Sequence, residues 1–144
     1  MNKKVAFIFS LLIIGIASRF LFITNFTAIG AVALLSGSIL RRPLESLAMP
    51  LIVLMLSDLI LNKFVYHVDG LFYTGAAYVY GPILFMTLVS RLVKTMNISK
   101  YVGLSLLFTV VFFLVSNYGV WQSGLSYPLT TQGLMACYIA AIPF

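Results

Sequence analysis

Residues 25–61 consist of two apolar runs separated by the basic turn Arg41-Arg42-Pro43, with one carboxylate, Asp58, inside the second run. Proline cannot continue the hydrogen-bond ladder of a helix, and it restricts the residue before it, so the turn ends the first run. Two such helices would be unusual in a water-soluble core. In a bilayer they form an apolar helix, a positively charged cytoplasmic turn and a returning apolar helix.

The composition supports a membrane protein. Of the 144 residues, 62% are hydrophobic and only 8% are charged, and the mean hydropathy is +1.09. A soluble domain would have about 25% charged residues. The net charge is +6, but the basic residues are too sparse to form a nucleic-acid surface. We therefore predict a lipid bilayer as the main partner and no nucleic-acid partner.

The apolar runs predict an all-α fold: a polytopic bundle of about six transmembrane helices in one integral membrane domain, residues 1–144. The predicted helices are residues 5–18, 26–40, 47–61, 73–89, 101–115 and 130–144, with Pro50 in the first turn of the third and Gly81-Pro82 interrupting the fourth. Residues 63–70 form a polar link and residues 116–128 an uncharged loop. Runs of about 15 residues span about 22 Å, so they need flanking residues or a locally thinned bilayer.

The basic residues predict the orientation. With the N-terminus inside, the inner segments carry seven of the nine basic residues, namely Lys3, Lys4, Arg41, Arg42, Arg91, Lys94 and Lys100. The outer segments carry Arg19 and Lys63. The positive-inside rule then places the N-terminus in the cytoplasm. We expect an integral protein of the bacterial cytoplasmic (inner) membrane.

Asp58 is the most informative polar residue. An ionisable side chain near the centre of a membrane helix costs about 2.5–3.5 kcal/mol on insertion scales, so it is normally paired or faces a cavity. Arg19 is the basic residue at a similar predicted depth. We expect an Asp58–Arg19 pair that is either purely structural or part of a ligand site. A strip of small residues, Gly30, Ala33 and Gly37, allows close helix packing, either within the chain or against another subunit.

The uncharged loop, residues 116–128, has two interpretations. Tyr118, Trp121 and Tyr127 are typical of an interfacial aromatic belt. Alternatively the loop is a lid, in which the rings stack on a planar ligand, Asn117 and Gln122 donate and accept hydrogen bonds, and Gly119 and Gly124 permit movement.

Four stretches carry a resemblance to a known family: RFLFITNFTAIGAVALLSGSIL, PLIVLMLSDLIL, SNYGVW and GLMACYIAAIPF. Over nearly its whole length the chain resembles an uncharacterised bacterial family of six-helix membrane proteins assigned to transport. That family is in turn similar to the S components of energy-coupling factor (vitamin) transporters. The resemblance implies an outward pocket capped by loops, and as partners a transmembrane coupling subunit and two ATPases. Family members continue past Phe144, which implies that the last helix is truncated or completed by something else.

These expectations define a candidate ligand-binding set on the outer side: Arg19, Asn25, Asp58, Tyr78, Asn117, Tyr118 and Trp121. The leading hypothesis is an uptake component for a vitamin-like small molecule that depends on a partner for energy, because the chain has no GxxxxGKS phosphate loop. The alternative is a structural or accessory subunit of a larger membrane complex without its own ligand. One histidine, one cysteine and one membrane carboxylate give no catalytic or metal-ligand spacing, so we predict no enzyme activity, metal or cofactor.

Overall fold

A computed structural model describes residues 3–21, 28–67, 75–93 and 97–142. Within these ranges every element of regular secondary structure is a helix, which confirms the all-α prediction. The α-helices are α1 (Lys3–Arg19), α2 (Ile29–Ile39), α3 (Pro43–Leu61), α4 (Ala77–Leu92), α5 (Ile98–Gln122) and α6 (Thr131–Ala141). One π-helical turn, Asn62–Tyr66, continues α3.

Several helix boundaries follow from local chemistry. Pro43 lies at the start of α3, where its missing N–H costs nothing and its fixed φ suits a helix. The side chain of Asn97 accepts a hydrogen bond from the Lys100 amide at 2.9 Å and begins α5. Thr130 caps α6 in the same way, accepting from the Gly133 amide at 3.1 Å. Because α3 begins at Pro43, the prediction that Pro50 lies in the first turn is wrong. Pro50 is a buried residue of the helix interior.

The end of α5 corrects the sequence analysis. Residues 116–122, predicted as part of a loop, are the last two turns of this helix, so the linker to α6 covers only residues 123–130. Ser116 donates to the Phe112 carbonyl at 2.7 Å, and Asn117 donates to the Phe113 carbonyl at 2.8 Å. These bonds to the preceding turn satisfy the polar side chains without interrupting the helix.

Two smaller corrections concern the neighbouring helices. The helix α4 runs through Gly81-Pro82 without the predicted interruption. Residues 63–66, predicted as part of a polar link, belong to the π-helical turn, which ends at His67 in the left-handed conformation with φ 52°. The predicted link residues 68–70 and the predicted start of the fourth helix at Tyr73 lie outside the described residues.

Consecutive helices alternate in direction, so the bundle has two chemically different ends. At one end, Arg19 at the end of α1 meets Asp58 near the end of α3 and Tyr80 at the start of α4. We call this the Asp58 end. At the other end, Arg91 in the last turn of α4 donates to the Leu40 carbonyl at 3.0 Å, just after α2. We call this the Arg91 end.

The core lies between α1, α2, α3 and α4. Its centre contains Ala33, Val53 and Leu54, all fully buried. The most extensive helix contact joins α2 to α4, and there Gly37 lies directly against Ser90 and the Thr87 backbone. Gly37 and the fully buried Ala33 of the small-residue strip therefore serve packing within the chain, whereas a Cβ at Gly30 would meet only the Met86 methyl. Among the described helices, α5 packs on α4 and α2, whereas α6 contacts only α5.

Two segments are long and apolar enough to cross a membrane. They are Pro43–Tyr66, with 24 residues and a mean hydropathy of 2.0, and Ile98–Gln122, with 25 residues and a mean hydropathy of 2.1. In the second, only Phe108 and Gly119 are buried, and the other residues of α5 are exposed or half-buried. A surface of this kind needs lipid or another apolar partner.

Candidate functional site

A buried ion pair lies at the Asp58 end. Asp58 is 2% exposed, and its Oδ1 atom accepts a hydrogen bond from Nη2 of Arg19. Its second oxygen, Oδ2, accepts a hydrogen bond from the Tyr80 hydroxyl at 2.7 Å. Both carboxylate oxygens therefore have a partner, as a buried charge requires. The predicted Asp58–Arg19 pair is confirmed.

The three side chains come from three helices. Arg19 is the last residue of α1, Asp58 lies one turn before the end of α3, and Tyr80 is in the first turn of α4. The sequence analysis did not include Tyr80. The pattern that could have identified Tyr80 is its helical spacing. Tyr80, Ile83 and Thr87 recur at three- and four-residue intervals, and all three are buried. Tyr78, which was selected instead, faces α5, where its ring lies against Gly119.

A cavity of about 780 Å³ lies beside the ion pair, between α5 and α6 on one side and α1–α4 on the other. Its middle is lined mainly by the apolar side chains of Ile83, Met86, Phe112 and Phe113, together with Thr109, whose hydroxyl donates to the Ser105 carbonyl at 2.9 Å. Its hydrogen-bonding side chains are concentrated at the Asp58 end: Arg19, Tyr66, Ser116, Asn117 and Tyr127. A pocket of several hundred cubic ångströms with apolar walls and a few placed polar groups is typical of a small-molecule site.

The cavity contains part of the predicted ligand set. Arg19 and Asn117 line it. Asp58 is not a lining residue, but it forms the ion pair with Arg19. Tyr78, Tyr118 and Trp121 are not among its lining residues. Asn25 lies outside the described residues. Two further tyrosines line the cavity. Tyr66, in the π-helical turn, was not predicted as a site residue, whereas Tyr127, in the α5–α6 linker, was predicted as a lid ring but was not in the candidate set.

Tyr78, Tyr118 and Trp121 form an aromatic cluster at the same end. The Tyr118 ring centroid lies 5.9 Å from that of Tyr78 and 5.4 Å from that of Trp121. The Trp121 indole N–H donates to the Pro128 carbonyl at 3.0 Å and so holds the linker against α5. The predicted lid loop bore Tyr118, Trp121 and Tyr127, and the prediction is wrong for the first two, because Tyr118 and Trp121 belong to α5. Tyr127 does lie in the linker, and it lines the cavity. Gly119 lies directly against the Tyr78 ring, because a Cβ at Gly119 would be only 2.5 Å from the nearest ring atom. Gly119 therefore cannot act as a hinge.

The polar groups at this end of the cavity differ in what they can still bind. Ser116 and Asn117 have already donated to backbone carbonyls, and within the described residues nothing donates to Asn117 Oδ1. The side-chain oxygen of Asn117, Oδ1, and the Ser116 hydroxyl oxygen can therefore accept hydrogen bonds from a ligand. Arg19 makes one hydrogen bond to the described residues, from Nη2, so its other N–H groups have no partner within this part of the chain.

The described ranges contain no group of three His, Cys, Asp or Glu residues that could hold a metal ion. Cys137 lines the cavity from α6, where its thiol donates to the Asn117 carbonyl at 3.4 Å. This contact and the hydrogen bond from the Tyr138 hydroxyl to the Leu114 carbonyl, 2.7 Å, attach α6 to α5. The arrangement can bind a molecule, but these residues offer no activated nucleophile or paired acid and base.

No curated protein and no solved structure matches the sequence. One protein family does match it, over residues 1–144, and its description is a family of unknown function. Since the match covers the whole chain, the protein belongs to this family, DUF6580.

Proposed function

We propose that the chain is the ligand-binding component of a membrane uptake system for a small molecule. The observation that carries the proposal is the cavity of about 780 Å³, which combines an apolar middle with polar groups gathered at the Asp58 end. A cavity with this distribution can hold a ligand in one orientation.

In this proposal the six helices cross the membrane and the cavity opens outward. The distribution of charge supports this orientation. Six described basic residues lie at the Arg91 end: Lys3, Lys4, Arg41, Arg42, Arg91 and Lys100. The Asp58 end has Arg19 and Lys63, and Arg19 is neutralised by Asp58. The positive-inside rule then assigns the Arg91 end to the cytoplasm and the cavity mouth to the outside.

Energy would come from a partner protein. The sequence has no phosphate-binding glycine loop, so any ATP must be bound elsewhere. The resemblance to S components of energy-coupling factor transporters suggests a transmembrane coupling subunit driven by two ATPases. The exposed apolar surface of α5, which includes Val102, Leu106 and Val110, is compatible with contact to lipid or to such a subunit.

The test combines a ligand screen with a variant that fills the cavity. Gly30 lines the cavity, and the nearest atom that a Cβ there would meet is the flexible methyl end of Met86, at 3.4 Å. Gly30→Leu should therefore occupy ligand space while the core adjusts. A panel of vitamins and related metabolites is added to the detergent-solubilised protein, and the melting temperature is measured. We expect at least one compound to stabilise the wild type and not Gly30→Leu.

Gly103→Leu is the matched control, because a Cβ at Gly103 on α5 would meet open space. It should respond to ligand as the wild type does. The accessory-subunit alternative makes the opposite prediction. It is favoured by the contact of α6 with α5 alone among the described helices, which leaves a side of the cavity for a partner helix. No stabilising metabolite, together with stable co-purification in a larger membrane complex, would establish that alternative.

The orientation has its own test. Ser126 is exposed in the α5–α6 linker, and Ser99 is exposed at the start of α5. Each is replaced by cysteine in a Cys137→Ala background, and intact cells are treated with a membrane-impermeant maleimide. We expect labelling at position 126 and none at position 99. Labelling at position 99 alone would reverse the proposed orientation.

A further inference from the structure

The cavity also indicates which chemical class of ligand it accepts, an inference that rests on the proposed function. Its walls at mid-depth are mainly apolar and include Phe112 and Phe113, beside Thr109, whose hydroxyl hydrogen is used on the Ser105 carbonyl. Polar contacts are available mainly at the Asp58 end. A matching ligand therefore has an apolar body and a single polar head, with the head next to Arg19 and Asn117.

The charge of the head follows from the ion pair. Arg19 is the one residue with a full charge at neutral pH among the described residues that line the cavity. It is already neutralised by Asp58, which Tyr80 also contacts. An anionic head would bring a second negative charge to a pair whose net charge is zero, and it would lose its hydration without gaining a counter-ion. A cationic head would also be disfavoured, because it would lie beside the Arg19 guanidinium, which has the same charge.

The hydrogen-bonding pattern narrows the class further. Arg19 only donates. Ser116 has used its hydroxyl hydrogen and Asn117 one of its two amide N–H groups on backbone carbonyls, so both offer an oxygen acceptor to the cavity. The Tyr66 and Tyr127 hydroxyls, which also line the cavity, can donate or accept. A head that accepts from Arg19 and also donates to one of these oxygens therefore uses more of the available partners than a head that only accepts. A hydroxyl group or a primary carboxamide does both, while a carboxylate can only accept.

We propose that the cavity binds a neutral, mainly apolar molecule with one hydroxyl or primary carboxamide head, and that it discriminates against the corresponding carboxylate. The neutrality of the Asp58–Arg19 pair is the basis of this discrimination. In this scheme Asp58 is a positioning residue. It holds the Arg19 guanidinium in place and cancels its charge without touching the ligand.

The experiment uses three probes with the same body: 4-phenylbutan-1-ol, 4-phenylbutanamide and 4-phenylbutanoate. Binding to the full-length chain in detergent is measured by equilibrium dialysis at neutral pH, with protein-free micelles as the blank. Specific binding is the part that Gly30→Leu abolishes and Gly103→Leu retains. We expect the alcohol and the amide to bind at least tenfold more tightly than the carboxylate.

The outcomes separate this inference from the proposed function. Specific binding of the carboxylate as tight as that of the alcohol and the amide, or tighter, would overturn the ligand class and leave the binding function standing. No specific binding of any probe would overturn the ligand class, and the metabolite screen with Gly30→Leu would then decide the function separately. Asp58→Asn supplies a second arm, because it leaves the Arg19 charge uncancelled. In that variant the carboxylate should gain at least tenfold in affinity, while the alcohol should change less than threefold. If Asp58→Asn does not fold, the comparison of the three probes on the wild type decides alone.

Discussion

Helices α3 and α5 are equally apolar but are placed very differently in the molecule. The segments Pro43–Tyr66 and Ile98–Gln122 have mean hydropathies of 2.0 and 2.1. Yet α3 has eight buried residues and α5 has two. Hydropathy therefore does not decide which helix forms the core of this bundle. The positions of the small and polar residues decide it.

The buried polar residues all belong to the α1–α4 part of the described chain, including its π-helical turn. They are Ser18, Ser36, Ser46, Ser57, Asp58, Asn62, Thr87 and Ser90. Meanwhile bulky apolar side chains of the same helices, such as Ile13, Ile52 and Phe85, are exposed. This is the arrangement expected in lipid, where small residues allow helices to approach and polar residues avoid the hydrocarbon.

The α5–α6 pair, by contrast, is attached to the core at a few points. Phe108 is fully buried, the Tyr78 ring packs on Gly119, and the Ser38 and Tyr101 hydroxyl groups are hydrogen-bonded at 2.9 Å. The cavity lies between the two regions. Changes in α1–α4 should therefore reduce stability, whereas changes on the outer face of α5–α6 should be tolerated. The predictions below test this difference.

The largest effect is expected from breaking the buried ion pair. Asp58→Asn leaves Arg19 with an uncompensated charge at a position that is 18% exposed. Removal of one partner of a buried pair typically costs about 3–5 kcal/mol, so we expect a loss of this size in the free energy of unfolding. Chemical unfolding of the purified protein in detergent measures it. The double variant Asp58→Asn/Arg19→Gln should recover part of the loss.

The salt bridge between Lys4 and Glu45, at the Arg91 end, is the control. Its N–O distance is 2.7 Å, but its side chains are 49% and 28% exposed. Glu45→Gln should cost less than about 1 kcal/mol. Strictly additive losses for Asp58→Asn and Arg19→Gln would show that the two residues do not act as a pair. Equal losses at the two ends would contradict the contrast between a buried and an exposed pair.

A smaller effect is expected from two glycine substitutions, one in each region. A Cβ at Gly37 would collide with the Ser90 hydroxyl oxygen and with the Thr87 carbonyl oxygen of α4, and the second of these is backbone. Overpacking of this kind costs about 1–3 kcal/mol. At Gly103 a Cβ meets open space, and alanine is the better helix former by about 1 kcal/mol.

Gly37→Ala should therefore lower the melting temperature and Gly103→Ala should leave it unchanged or raise it. Thermal unfolding of both variants in one detergent is the measurement. If Gly103→Ala destabilised the protein as much as Gly37→Ala, α5 would have to be packed as tightly as α2, and the division into two regions would fail.

The sequence was sufficient for the helical class, the number of described α-helices and the Asp58–Arg19 pair, because these depend on strong local signals. Long apolar runs specify helices, and an isolated carboxylate in such a run needs a cation. The length of α5 was harder to predict. The polar stretch 116–122 has the composition of a loop, but Ser116 and Asn117 satisfy themselves on the preceding turn, and only the structure shows that choice.

The site was only partly predictable for a similar reason. Tyr78 and Tyr80 differ by two positions, which places them about 200° apart around a helix. Tyr80 contacts Asp58, whereas Tyr78 contacts α5. Choosing between them required knowing which face of α4 packs on α3. The cavity itself is lined by residues of all six α-helices, the π-helical turn and the α5–α6 linker, and no local pattern reports a space between helices.

The smallest effect is expected at Trp121, where the two regions and the linker meet. Trp121→Phe keeps an aromatic ring beside Tyr118 but removes the indole N–H that donates to the Pro128 carbonyl. The loss of one such bond costs about 0.5–1.5 kcal/mol. Tyr118→Phe is the control, since it keeps the ring contacts with Tyr78 and Trp121. The loss of stability caused by Tyr118→Phe should be undetectable. Thermal unfolding measures stability, and limited proteolysis within residues 123–130 reports how firmly the linker is held.

Because Trp121 does not line the cavity, binding of 4-phenylbutan-1-ol should change less than threefold in Trp121→Phe. A tenfold loss of binding without a change in proteolysis would mean that the indole contacts the ligand after all, and the boundary between the aromatic cluster and the cavity would have to be redrawn.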